Sequence, residues 1–339
     1  MAIVKRNGSR VVLEGVAKVG YGTGMYCQFP ASFKSALEAL GESVSYDTAM
    51  AVTGGAFRRT WNRDDGGNVC LTYFSPEPEV RGFRALGYSF TALPPVKADM
   101  VKAIKASIDR GVPVIAFGPV GPPEAALITG YDDDGETLLG YSFFQDPALP
   151  DMYEQHDWYE QAIWAGDKGL LLIGDKVARP TERETLIQTL RFAVDLARTA
   201  ERPTIPDHVC GLAAYDAWAA GLEIDADYPE DTGVLQHRLM IHGDQVLALG
   251  DRRHGAAYLR SSVAIAPEIA GELTAAADLL MQVADMPGIW LWGDAMTEED
   301  ARGLADHDTR VSIAAAVRRA RALETQAVEL IEAALQRVG

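Results

Sequence analysis

The chain has 339 residues, 48% of them hydrophobic and 23% charged, ordinary values for a globular protein with material for two domains. Its formal net charge of −17 excludes the broadly basic surface that non-specific binding to nucleic acid or to an anionic membrane requires, although it suits a cationic ligand. Three scattered cysteines, Cys27, Cys70 and Cys210, form no CxxC pair, so neither a disulfide framework nor a structural zinc site is expected, and no run approaches the ~20 apolar residues of a membrane span.

The opening stretch, MAIVKRNGSRVVLEG, has a basic start but no apolar segment of a secretory signal, and a cytoplasmic setting is the expectation. SFKSALEALGE (32–42) reads as an amphipathic helix stopped by Gly41, and YDTAMAVTGGAF (46–57) as a shorter one broken at Gly54-Gly55. KADMVKAIKASIDRG (97–111) is a third helix, ended by Gly111. Strands follow at 112–118, 124–132, 136–144 and 168–175, the middle two forming a hairpin over Asp133-Asp134-Gly135. Helices first and antiparallel strands afterwards make an α+β order rather than alternating βαβ units. From Thr181 onward the composition changes to Ala, Leu, Glu and Arg at helical spacing. Thr181 and Glu184 form a capping-box pattern, and candidate helices cover 181–200, 207–221, 232–249, 252–264, 267–285 and a long stretch within 297–337. Two domains result, 1–178 and an all-helical 179–339.

Cys27 lies in GYGTGMYCQFPASFKSALEALG, where a glycine-bearing loop runs into a helix. A thiol at a helix N-terminus is favoured as thiolate; a small buried residue packing the helix entry is the plainer alternative. Glu124 opens an apolar strand directly after the corner GPVGPP (118–123). It is either a solvated strand end or a working group, and the stiffness of the proline-rich corner favours a side chain that is aimed. Arg58, beside Gly54-Gly55, either cradles an anion or pairs with the acidic body of the protein. The Asp132-Asp133-Asp134 run lacks the alternate spacing of a calcium loop and reads as a hairpin tip. Cys210, in VCGLAAYDAW, superficially repeats the Cys-before-helix pattern, but no hairpin with a base follows it, so it reads as core.

A cysteine followed by a helix ending in Leu40-Gly41 resembles the opening of papain-like peptidases of the bacteriocin-processing type. Those place a histidine base shortly before Gly-Tyr-Asp, and an orienting acid in a later Asp-Pro. Here Gly130-Tyr131-Asp132 and Asp146-Pro147 are present, with Glu124 where the histidine would stand. More closely, SYDTAMAVTGGAFRRTW (45–61), GVPVIAFGPVGPPEAALITGYDDDGETLLGYSFFQD (111–146) and LLLIGDK (170–176) resemble the N-terminal domain of the butirosin biosynthesis protein H family. The resemblance implies a papain-like α+β fold for 1–178. It also implies acyl transfer, by way of the namesake, from a carrier protein to an aminoglycoside amine.

On that reading Cys27 is the nucleophile, Glu124 the proton acceptor or amine binder, and Asp146 the orienting acid. Tyr21 stands at the spacing of the family's oxyanion glutamine, with Gln28 on the other side of the cysteine; Arg58 and Tyr131 complete the substrate-binding set. The partners implied are a small amine-bearing substrate and an acyl carrier protein, with a homo-oligomer left open and no cofactor or metal expected. A carboxylate in place of histidine opposes thiolate formation, so a second reading stands beside the first: a non-catalytic binding or assembly protein that retains the fold.

Overall fold

The computed structural model describes residues 1–64, 75–145, 152–156, 169–293 and 296–338. The chain forms two compact units that do not follow a single cut. One comprises residues 1–49 and 76–180; the other comprises 50–75 and 181–339. The second boundary falls at the Thr181 capping box. The sequence boundary, however, leaves 50–75 with the first half, whereas 54–61 pack with the helices. Phe57, Arg58, Arg59 and Trp61 are all buried, and their partners come from residues beyond 181. Such pairings span well over a hundred residues, beyond the reach of any local sequence pattern.

The first unit is built on an antiparallel sheet in the order β1 (Ile3–Asn7), β2 (Arg10–Glu14), β6 (Ala125–Asp132), β5 (Val114–Phe117), β9 (Leu170–Lys176), β4 (Tyr88–Leu93). A further pair, β7 (Thr137–Tyr141) and β8 (Tyr153–Gln155), attaches to β6. Strand β6 is the hub. Its first half pairs with β5 (Phe117↔Ala125), its second half with β2 (Val12↔Gly130), and its other edge with β7 (Leu127↔Tyr141). Pairing on both edges and burial of nearly every residue explain its continuous apolar run. Helix α1 (Gln28–Ala39) lies on β6 and β5. It presents Phe29 and Phe33, and Phe33 meets Phe83 of α3 (Glu77–Leu86) edge to face at 5.0 Å. Helix α4 (Lys97–Asp109) packs on β6 and β2. The acidic turn after β6 faces this helix, where Lys105 pairs with Asp134 and Lys97 with Glu136. Helix α2 (Tyr46–Val52) carries the chain from the first unit into the second.

In the second unit the capping box closes as its pattern requires. Thr181 Oγ1 accepts from the Glu184 amide, and Glu184 accepts from the Thr181 amide at 2.8 Å. The helices are α5 (Glu182–Arg198), α6 (Gly211–Leu222), α7 (Thr232–Gly250), α8 (Arg252–Ser261), α9 (Ala270–Ala284), α10 (Glu298–Gly303) and α11 (His307–Val338). The last is the long helix read within 297–337, preceded by the short α10; Asp306 caps the start of α11 through the Thr309 amide at 2.8 Å. Ile313, Val317, Ala320, Glu324, Ala327, Ile331 and Ala334 recur every three or four positions along α11 and are all buried. That stripe packs on α9, α6 and α5. No helix among the described residues is long and apolar enough to cross a membrane.

One member of the α11 stripe is charged. Glu324 receives both ends of the Arg252 guanidinium at 2.9 and 2.7 Å, and the Tyr215 hydroxyl donates to it. Burial alone would raise the Glu324 carboxyl, but Arg252 and Arg59 hold it below the usual carboxylate range. Arg252 also donates to the backbone carbonyl of Arg58 at 2.7 Å and to those of Ala56 and Phe57. A single buried guanidinium thus fastens the 56–58 backbone to the helices. Gly54 completes the seating: φ is +84°, and a Cβ there would lie 2.4 Å from the Phe192 ring, so only glycine fits. A short ladder follows, β3 (Thr60–Trp61) against β10 (Val209–Cys210).

Candidate functional site at the start of helix α1

Cys27 is the N-cap residue of α1, extended in backbone (φ −103°, ψ 119°), and its side chain caps nothing. It is 2% exposed. Its carbonyl accepts the amide of Ala31 at 3.1 Å, and the third helical residue, Pro30, has no amide to offer. The first-turn donors beyond Cys27 are therefore the amides of Gln28 and Phe29. The amide of Cys27 points elsewhere: the hydroxyl of Tyr46, from α2, accepts it at 2.9 Å and also accepts the amide of Tyr26 at 3.2 Å. Nothing local in the sequence marks Tyr46 as a partner of Cys27.

Three loops meet at one end of the sheet, where β6 begins and β7 ends. The loop before Cys27 reaches the 142–145 turn, because a Cβ on Gly20 would sit 3.6 Å from the Ser142 carbonyl and Tyr21 stands edge-on to Phe143 at 5.3 Å. The proline corner reaches the same turn. Gly121 has φ +77°, and a Cβ on it would fall 2.5 Å from Phe144 Cβ, so close approach and a left-handed backbone both demand glycine. The turn itself is held by the Ser142 amide donating to Gln145 Oε1 at 3.0 Å and the Phe144 amide donating to Ser142 Oγ at 3.1 Å. Within the corner, the Glu124 amide donates to Pro122 O at 2.7 Å and the Gly118 amide donates to Glu124 O at 3.0 Å. The backbone of Glu124 is therefore fixed from both sides. Its side chain is half-buried rather than enclosed, because the strand enters the core only from Ala125 onward.

The remaining sequence candidates separate clearly. Tyr21 is at this rim and 56% exposed; Tyr26, whose amide meets Tyr46, is 44% exposed. Gln28 is 4% exposed, and its Oε1 has no hydrogen-bond partner among the described residues. Tyr131 does not belong here. It lies six residues beyond Ala125 on β6, about 20 Å away at ~3.3 Å per residue, and its hydroxyl donates to Asp109 at 3.0 Å. Burial and that carboxylate push the Tyr131 phenol up. Arg58 sits in the second unit, where it is buried and pairs with Asp251 at 2.9 Å, which accounts for its charge without an anionic ligand. Asp146 and Cys70 lie outside the described residues. His156 is the sole histidine in the sequence of the first unit. It contacts Thr137 Oγ1 at 2.9 Å, at the end of β7 that pairs with Asp132, remote from the start of β6.

The arrangement offers a thiol at a helix N-terminus, a carboxylate on a fixed backbone, two exposed phenols and one unpartnered amide oxygen. No group of three or more His, Cys, Asp or Glu side chains among the described residues is placed to hold a metal ion. No family model matches the chain, and no curated protein matches it.

Proposed function

We propose that the first unit is a papain-like domain that carries out thiol-dependent acyl transfer or amide processing on a small amine-bearing metabolite. In this reading Cys27 is the nucleophile, Glu124 accepts the proton or anchors the amine, and Asp146 orients. An acyl carrier protein is the natural donor of the acyl group. The supporting observation is the position of Cys27 as N-cap of the helix that lies on β5 and β6, where aligned amides favour negative charge on sulfur. The unpartnered Oε1 of Gln28 adds an acceptor that a substrate N–H would satisfy.

The test is the intact mass of the protein after exposure to an acyl thioester. One acyl group on Cys27, absent in Cys27→Ser, is the expected result; an unmodified Cys27 removes the acyl-transfer reading. Glu124→Gln retains size and hydrogen-bonding capacity while deleting the charge. It is expected to lose transfer to an amine while melting close to the parent.

The second reading, a binding or assembly protein on the same fold, has its own support. The thiol is buried, its amide is committed to Tyr46, and the lone histidine in the unit's sequence bonds Thr137 at the end of β7 that pairs with Asp132. It is favoured if an amine ligand binds and Cys27→Ser leaves that binding intact.

A further inference from the structure

The convergence of two consecutive amides on one side-chain oxygen has a chemical meaning at this place. When a thiolate attacks a thioester carbonyl, the S–C bond forms and the carbonyl π electrons move onto oxygen. Collapse of the adduct then expels the donor thiolate and leaves the acyl group on the cysteine. The oxyanion develops one bond from the attacked carbon, so the nucleophile's own backbone N–H is among the donors nearest to it. At Cys27 that N–H is already donated, at 2.9 Å, to the hydroxyl of Tyr46. The neighbouring Tyr26 N–H is donated to the same oxygen. Pro30 removes a further amide from the same helix end, which leaves few substitutes.

We infer that Tyr46 is an internal gate on Cys27: its hydroxyl oxygen holds the place of the substrate oxyanion, and acylation requires that oxygen to be displaced. The inference rests on the nucleophilic role proposed for Cys27. Tyr46 is suited to yield. It is only half-buried and is the first residue of its helix, so a rotation of one side chain frees both amides without unwinding α1. Acylation proceeds when the carbonyl oxygen of the thioester itself replaces the Tyr46 hydroxyl on these amides.

The test compares two reactions of the same sulfur. Alkylation by iodoacetamide is a direct displacement with no oxyanion, whereas acylation by S-acetyl-N-acetylcysteamine forms one. Rates of both at Cys27 are followed by intact mass in the parent and in Tyr46→Phe, which removes the oxygen and leaves the ring. One oxyanion donor is worth roughly 10²–10³ in rate, and releasing it from an internal competitor is expected to raise the acylation-to-alkylation ratio about tenfold. A variant that is merely loosened shifts both rates together and leaves the ratio unchanged, which overturns the gate. A fall in the ratio also overturns it, since Tyr46 would then itself donate to the oxyanion. If Cys27 is alkylated in both proteins but acylated in neither, the acyl-transfer reading fails first and the gate falls with it. Tyr46→Leu, which also lacks the oxygen, supplies the same ratio should the phenylalanine variant not fold.

Discussion

Cys27 and Cys210 occupy the same local position in two helices. Each is the N-cap residue, each is extended in backbone, each is buried, and neither side chain caps its helix. Their surroundings differ. Cys210 is locked into backbone pairing: its amide donates to Ala200 O at 2.8 Å, it faces Thr60 in a two-stranded ladder, and the next amide, Gly211, donates to Arg59 O at 2.9 Å. Burial pushes its thiol up, opposed by the charge of Arg202. The Cys27 amide is instead held by one side-chain hydroxyl, that of Tyr46 at 2.9 Å. A helix N-terminus by itself therefore decides nothing about reactivity. What matters is whether the backbone around the sulfur is tied by a ladder or by groups that can let go.

The largest effect on this contrast is expected from Arg252→Met. It leaves Glu324 buried without its bidentate partner, at a cost of about 3–5 kcal/mol, and releases the carbonyls of 56–58. The ladder beside Cys210 then loses its anchor, so urea unfolding should occur at markedly lower denaturant and Cys210 should become open to alkylation. Unchanged unfolding and an unreactive Cys210 would show that the ladder stands without the clamp.

Acid should weaken the same region through His242. Burial lowers its imidazole from 6.5 to about 4, against a donated bond to Ile289 O. Between those values the unfolded chain binds a proton that the folded one does not, so stability is lost as pH falls from about 6.5 to 4 and not above it. A shift of about 2.5 units is worth about 3 kcal/mol at most. Unfolding free energies of the parent and of His242→Gln across that window should converge in acid; parallel curves would assign the acid sensitivity to other groups.

Direct labelling sharpens the comparison with no mutation at all. At neutral pH iodoacetamide should modify Cys27 about tenfold faster than Cys210, since releasing an amide held by a side-chain hydroxyl costs less than breaking a ladder and the Cys210 thiol is held up by burial. Equal rates would mean that the two environments are equivalent after all. The smallest effect belongs to Thr181→Ala. Loss of the capping box should cost about 1 kcal/mol in thermal unfolding and leave the labelling ratio of the two cysteines as it was.

Regular elements with local signals were legible in the sequence. The α1 stripe, the α4 helix stopped by Gly111, the strands after Gly111 and the Thr181 box all lie near their observed bounds. Each depends on residues within a few positions of one another. The opening hairpin, β1 and β2, carries no such signal, because VKRNGSRVV has polar residues on its exposed edge strand. The α3–β4 segment also escaped, since its strand YSFTAL is exposed on much of one face and is defined by pairing with β9. The position of Cys27 before a helix could be read from the glycine-bearing approach. The Tyr46 bond could not, because it joins residues nineteen apart through a side chain that carries no periodic signature. The transfer of Phe57 to Trp61 into the second unit was hidden for the same reason on a larger scale.

That transfer bears on how the chain is made. The bond from Arg59 to Gln245 spans 186 residues and that from Arg252 to the Arg58 carbonyl spans 194. During synthesis at ~5–20 residues per second, the 56–61 segment leaves the ribosome roughly 10–40 s before its partners do. For that interval Phe57 and Trp61 have no core, and Arg58 and Arg59 have no buried counterparts. The intervening residues 76–180 can complete the sheet and dock α1 first, so the first unit is expected to be assembled while the second still lacks most of its chain. Slowing translation after residue 180 would lengthen this exposed stage, and a chaperone that binds short apolar segments flanked by arginine has its target in FRRTW.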